Sequence, residues 1–65
     1  MPPGFYDDVT DLLKQAGYRF ERSGKGSHEI WAHPDKLPKV TVPRTLKSRH
    51  TANGILKDAG IGKKL

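Results

Sequence analysis

Cysteine is absent from this 65-residue chain, which excludes a disulfide framework and a thiolate metal site. A scaffold without such staples depends on packing, or on a partner, for its stability. A chain of this length buries only about 60% of its unfolded surface on folding, so its core is thin. Long apolar runs are missing too, because polar and charged residues break up every stretch. No membrane span, secretory signal or amphipathic anchor is expected. Acidic residues are scarce relative to basic ones: 7 Asp and Glu against 12 Lys and Arg leave a formal charge of +5. That balance points to a polyanion or an acidic protein surface as partner. The lack of Cys fits a reducing, cytoplasmic setting.

What the chain does contain is ordered punctuation. Met1-Pro2-Pro3-Gly4 cannot start a helix and is expected to be a loose arm (residues 1–4) on a single domain spanning residues 1–65. Val9, Leu12, Leu13 and Ala16 then recur at i, i+3, i+4 and i+7, one apolar stripe of a helix over about Tyr6 to Ala16. Asp7 and Asp8 suit its positive dipole end. Gly17 supplies a left-handed stop, followed by Tyr18 as the apolar residue that folds back on the last turn. Tyr18, Phe20 and Arg22 alternate with Arg19, Glu21 and Ser23, a half-buried strand. Gly24-Lys25-Gly26 is a turn. Ser27 to His33 predicts a second strand, with Ile30 on one face and Glu29 and Trp31 on the other. Pro34-Asp35-Lys36 turns the chain again. Lys39 to Val42 forms a third strand, stopped by Pro43. Ala52, Ile55, Leu56 and Ala59 repeat the helical stripe, with Thr51 or Ser48 as N-cap. Asn53-Gly54 conflicts locally with that helix and predicts a bent or frayed first turn. The strings Leu13-Lys14-Gln15-Ala16-Gly17-Tyr18 and Leu56-Lys57-Asp58-Ala59-Gly60-Ile61 use one helix-ending chemistry twice.

The order is α-β-β-β-α, an α+β fold with a three-stranded antiparallel sheet and two helices on one face, of the double-stranded RNA-binding-domain kind. Tyr18, Phe20, Ile30, Val40 and Val42 are expected to meet the helices. Strand parity then puts His28 on Ile30's covered side, where it escapes burial only by lying at the strand end.

Histidine is the side chain that titrates near neutral pH. His28 sits at the mouth of the glycine turn, three residues from Lys25. Its imidazole can move a proton while Lys25 and turn amides stabilise phosphate charge. The same residues also describe an ordinary hairpin with a polar strand start. His33 and His50 read as surface residues. No H-x-x-x-H pair or His/carboxylate cluster has ligand spacing, so no protein-bound metal or other cofactor is expected. Ser27 lacks a positioned base for a hydrolase nucleophile, and Gly24-x-Gly26 is too short for a nucleotide fingerprint. Cations gather after the first helix, among them Arg19, Arg22, Lys25, Lys39, Arg44 and Lys47, interleaved with Trp31. They suit RNA, with phosphates on Lys and Arg and a base stacked on the indole; equally, they suit a plain basic surface.

Gly26-Ser27-His28, then Trp31, then Val42-Pro43-Arg44, then Ile55 to Ile61 with its Ala59-Gly60-Ile61 end, together resemble the HicA toxins of bacterial toxin–antitoxin pairs. The similarity runs from about Val9 to Ile61. It departs from the family at Arg44-Thr45, where members often carry a histidine, and at Asn53-Gly54 in the last helix. The resemblance implies the same α-β-β-β-α fold and a small ribonuclease that cuts mRNA and halts translation. It also implies a HicB-type antitoxin covering the active site, and it maps the family's catalytic histidine onto His28. The expectation is a metal-independent endoribonuclease, a hydrolase acting on RNA, with His28 catalytic and Lys25, Ser27, Arg44 and Trp31 on the RNA. The alternative is a non-catalytic RNA-binding module of the same fold.

Overall fold

Helix, three strands and helix follow one another in the computed structural model, which describes residues 4–65. The arm expected over residues 1–4 falls, for residues 1–3, outside the described residues. Helix α1 spans Tyr6–Gln15, β1 Arg19–Ser23, β2 His28–His33, β3 Lys36–Pro43 and α2 Arg49–Asp58. The strands form one antiparallel sheet in the order β1-β2-β3. The architecture is the α+β fold expected.

Both helices end by the same device. At the end of α1 the Gly17 N–H donates to the Lys14 carbonyl (3.1 Å) and the Tyr18 N–H to the Leu13 carbonyl (2.9 Å). At the end of α2, Gly60 donates to Lys57 (3.0 Å) and Ile61 to Leu56 (2.8 Å). This is the paired 5→2 and 6→1 bonding of a Schellman stop, with a left-handed glycine at φ 98° in one case and 75° in the other. At Gly17 a side chain is barred twice: a Cβ there would also lie 2.8 Å from the His33 imidazole.

Ser48 caps α2, its hydroxyl accepting from the Thr51 N–H at 3.2 Å. The helix runs through Asn53-Gly54 without a break, so the frayed first turn does not occur. Asn53 is put to use: its Oδ1 accepts from the Leu65 N–H at 2.8 Å and ties the C-terminal segment to the helix. Gly54 is exposed, and a Cβ there would meet nothing within 4 Å. Gly54→Ala is therefore expected to stabilise the protein by about 1 kcal/mol, which raises the melting midpoint by about 4–8 °C in a domain this small. A thermal melt showing no gain would mean that the helix is under strain there.

The core lies between one sheet face and the two helices. Val9, Leu13, Tyr18, Trp31, Val40, Val42, Leu46, Ala52, Ile55, Leu56 and Ala59 are its buried apolar members. The middle strand corrects one expectation: Glu29 and Trp31 face the helices, while Ile30 is only half-buried on the other side. The register explains this. Trp31 stands opposite Val40 and Glu29 opposite Val42, and directly opposed residues share a face. Both valines are buried, so their partners are covered with them. Phe20 pairs with Trp31, so it too points to the helix side, but on an edge strand and 49% exposed. Between Phe20 and Arg22 the register slips by one residue, which puts Arg22 opposite Ile30 on the uncovered face.

Candidate active site

The β1–β2 hairpin places His28. Gly24 donates to the His28 carbonyl at 2.7 Å and the His28 N–H donates to the Lys25 carbonyl at 3.2 Å, which closes a tight loop. Gly26 makes that loop possible with φ 65°, in the left-handed region where L side chains are strained. Lys25, Ser27 and His28 are all exposed. His28 opens β2 and faces Pro43 at the end of β3. It shares a face with Ile30, and that face is the one the helices leave open. The imidazole is thus accessible along the sheet surface as well as at the strand end, which replaces the end-only escape expected from sequence.

Beyond Pro43 the chain crosses the end of the sheet. The Arg44 N–H donates to the Ser27 carbonyl at 2.8 Å, so the turn bearing His28 and the segment bearing Arg44 are joined by a main-chain bond. The Arg44 guanidinium goes to the helix side, where its Nε lies 3.8 Å from Glu29 Oε2. Glu29 Oε1 accepts from the Tyr6 hydroxyl at 2.6 Å and from Trp31 Nε1 at 3.1 Å. An open groove of about 390 Å³ lies beside this cluster, lined by Gly4, Tyr6, Asp7, Arg44, Thr45, Leu46 and Lys47. His28 is not among its walls.

The structure therefore gathers Ser27, His28 and Arg44 at one end of the sheet, with Lys25 in the adjoining loop, and removes Trp31 from the set. Trp31 is 3% exposed, its ring flanked by the Phe20 edge at 6.1 Å and by the Lys14 ammonium at 6.0 Å. No face of the indole is open for a nucleobase, so the stacking role is corrected: Trp31 is a core residue, buried by its pairing with Val40. The other histidines lie elsewhere. His33 packs edge-on against Tyr18 at 5.1 Å and accepts the Asp35 N–H on Nδ1. His50 is exposed in the first turn of α2 and lines a second groove with Lys57, Lys63 and Lys64. Part of the basic surface is also committed: Glu21 pairs with Lys39 at 2.8 Å and Arg22 at 3.6 Å, and Arg19 bonds the Lys14 carbonyl at the end of α1.

Glu29 and Tyr6 are the members that the sequence reading missed. The signal was present. Once Trp31 is taken as the covered residue of β2, period-two alternation makes Glu29 a covered carboxylate next to His28. Tyr6 records the electrostatics of the cluster. Burial first, then the hydrogen bond to Glu29 and its charge, push the tyrosine hydroxyl up from 10.0 to about 12. The folded chain keeps this proton where the unfolded chain has lost it. Native protein then binds more protons than unfolded protein, and stability falls as pH rises from 10 to 12. Denaturant unfolding at closely spaced pH values should show Tyr6→Phe lacking that part of the decline. A variant with the full wild-type slope would contradict the assignment.

A small basic α+β domain with an accessible histidine at a glycine turn is the class that this fold and site define. The family model for the HicA toxin of bacterial toxin–antitoxin pairs matches residues 6–61, nearly the whole chain. The chain belongs to the HicA toxin family. Membership makes it the toxin of a toxin–antitoxin pair and implies an antitoxin partner. No curated protein and no solved structure matches the chain. Among the described residues, no helix is long and apolar enough to cross a membrane.

Proposed function

We propose that this toxin is a metal-independent endoribonuclease that cleaves mRNA through His28, blocks translation and is silenced by a HicB-type antitoxin placed over that histidine. The observation that carries the reading is the exposed imidazole at the end of the sheet, on the face without helices, beside Lys25 and the Ser27–Arg44 main-chain bond. RNA supplies its own nucleophile, the 2′-hydroxyl. One positioned imidazole can then suffice: neutral, it takes the 2′-proton; protonated, it delivers a proton to the departing 5′-oxygen. Negative charge grows on the phosphate as the 2′-oxygen attacks. Lys25, Arg44 and the amides of the glycine turn are the groups at hand to offset it. Sharing both proton transfers on one ring makes turnover slow, which a toxin tolerates.

Purified protein is expected to cut RNA in excess EDTA. RNA that is shifted on a gel but left intact would instead identify a non-catalytic RNA-binding module. Affinity should also depend on salt. If about four phosphates are neutralised, log K for single-stranded RNA falls against log salt with a slope near −3. A slope close to zero would remove the polyanion from the reading and leave the basic face to the antitoxin alone.

A further inference from the structure

Glu29 is a carboxylate buried where a small domain has little reason to bury one, with 8% of the residue exposed. Taking a charge out of water is costly, and an apolar residue of similar volume is often at least as stable. Its two oxygens are used differently. Oε1 is fixed by two neutral donors, the Tyr6 hydroxyl and Trp31 Nε1, while Oε2 faces the Nε of Arg44. The Arg44 side chain is 68% exposed, so this ion pair contributes little to stability. Its geometric effect is larger. Nε lies 3.8 Å from the carboxylate, an ion-pair contact rather than a hydrogen bond, and the largely exposed side chain keeps guanidinium donors for another anion, for which a planar fork suits a phosphate.

We propose that Glu29, held by Tyr6 and Trp31, is a positioning residue that aims Arg44 into the groove between the start of α1 and the β3–α2 connection, where the guanidinium binds the RNA phosphate next to the nucleotide on His28. The ligand class rests on the ribonuclease reading above; the aiming device is specific to this chain's own Glu29 and Arg44. The main-chain bond from Arg44 to Ser27 sets the two positions side by side. His28 stands on the open face and Arg44 on the helix side, so a strand crossing the end of the sheet meets both. Lys47 adds a second cation to the groove wall and Asp7 an opposing charge, so Arg44 decides whether a phosphate is held.

The test uses a 2′-O-methyl oligoribonucleotide, which can be bound but not cut, alongside cleavage of ordinary RNA. Arg44→Gln should weaken binding about 10-fold and reduce the log-salt slope by about 0.7. Glu29→Gln separates aiming from charge by its sign. Removing a negative charge beside the ligand tightens binding if only electrostatics matter; loss of aiming weakens it, here by about 3–10-fold. In the Arg44→Gln background the same change should have no further effect, since neighbours acting through one another are not additive. Tyr6→Phe keeps every charge and should weaken binding in the same direction by about 2–3-fold, which decides the matter if Glu29→Gln fails to fold. Unchanged or tighter binding by the folded Glu29 variant, additive effects in the double variant, or unchanged affinity in Tyr6→Phe each overturns the proposal. Wild-type protein that binds the oligonucleotide but cuts no RNA would end the ribonuclease reading and leave the positioning role standing. Failure to bind the oligonucleotide at all would end the positioning proposal, while cleavage of ordinary RNA decides the ribonuclease reading.

Discussion

Replacing His28 with alanine is expected to lower RNA cleavage by about 10²–10⁴-fold, the usual worth of a positioned general acid or base. The fold should be unaffected, because His28 is exposed at the first position of β2. Exposed substitutions away from caps, turns and networks usually change stability by about 0.5 kcal/mol or less. The hairpin that carries the residue is closed by main-chain bonds, which alanine retains. Affinity for an uncleavable RNA should also change little, since the cations beside the ring remain. The loss therefore belongs in kcat, and a variant that bound RNA normally yet failed to cut it would show an interaction made only in the transition state. Equal cutting by both proteins in EDTA would remove His28 from the chemistry. A variant that lost affinity and activity together would make it a binding residue instead.

Much of this arrangement is written locally. A helix end needs a left-handed glycine and an apolar residue after it, and both copies of the Leu-Lys-x-Ala-Gly string behave as their chemistry requires. The turn around Lys25 was legible for the same reason, since Gly26 adopts the conformation that glycine favours. The faces of β2 were not. Choosing between Ile30 and Trp31 as the covered residue needs the partner strand, because only the register with Val40 and Val42 fixes the parity. The slip between Phe20 and Arg22 is likewise invisible in an alternating pattern, yet it moves Arg22 to the open face. One misassigned parity accounts for the errors at the site. It put Glu29 and Trp31 on the open face, and it made the exposure of His28 look like an accident of the strand end. Inverting it makes that exposure a simple consequence of the open face.

The same inversion sets the expected behaviour of Trp31, the position where a single substitution should cost the most stability. Trp31→Ala empties the space between Phe20, Val40 and the α1 side chains, a loss of about 3–5 kcal/mol for an aromatic core residue. It also takes one of two neutral donors from the buried Glu29 carboxylate, and an under-satisfied buried acceptor adds to the cost. A 65-residue chain holds only about 3–10 kcal/mol in total, so Trp31→Ala should remove a large share of its stability and lower its urea midpoint steeply. Trp31→Phe isolates the hydrogen bond. It keeps most of the apolar volume, loses the N–H, and should cost about 1–3 kcal/mol by urea unfolding. Because no indole face is open, the folded fraction of Trp31→Phe should lose only about 2–3-fold in RNA affinity, as Tyr6→Phe does, since each removes one of the two donors that hold Glu29. Had the ring been a stacking platform, truncating it would instead cost about 1–3 kcal/mol of affinity per stacked base with stability nearly intact. The two accounts thus differ in which measurement moves, the denaturation midpoint or the binding curve. A stable Trp31→Phe protein whose RNA binding fell by about 10-fold or more would return the tryptophan to the surface.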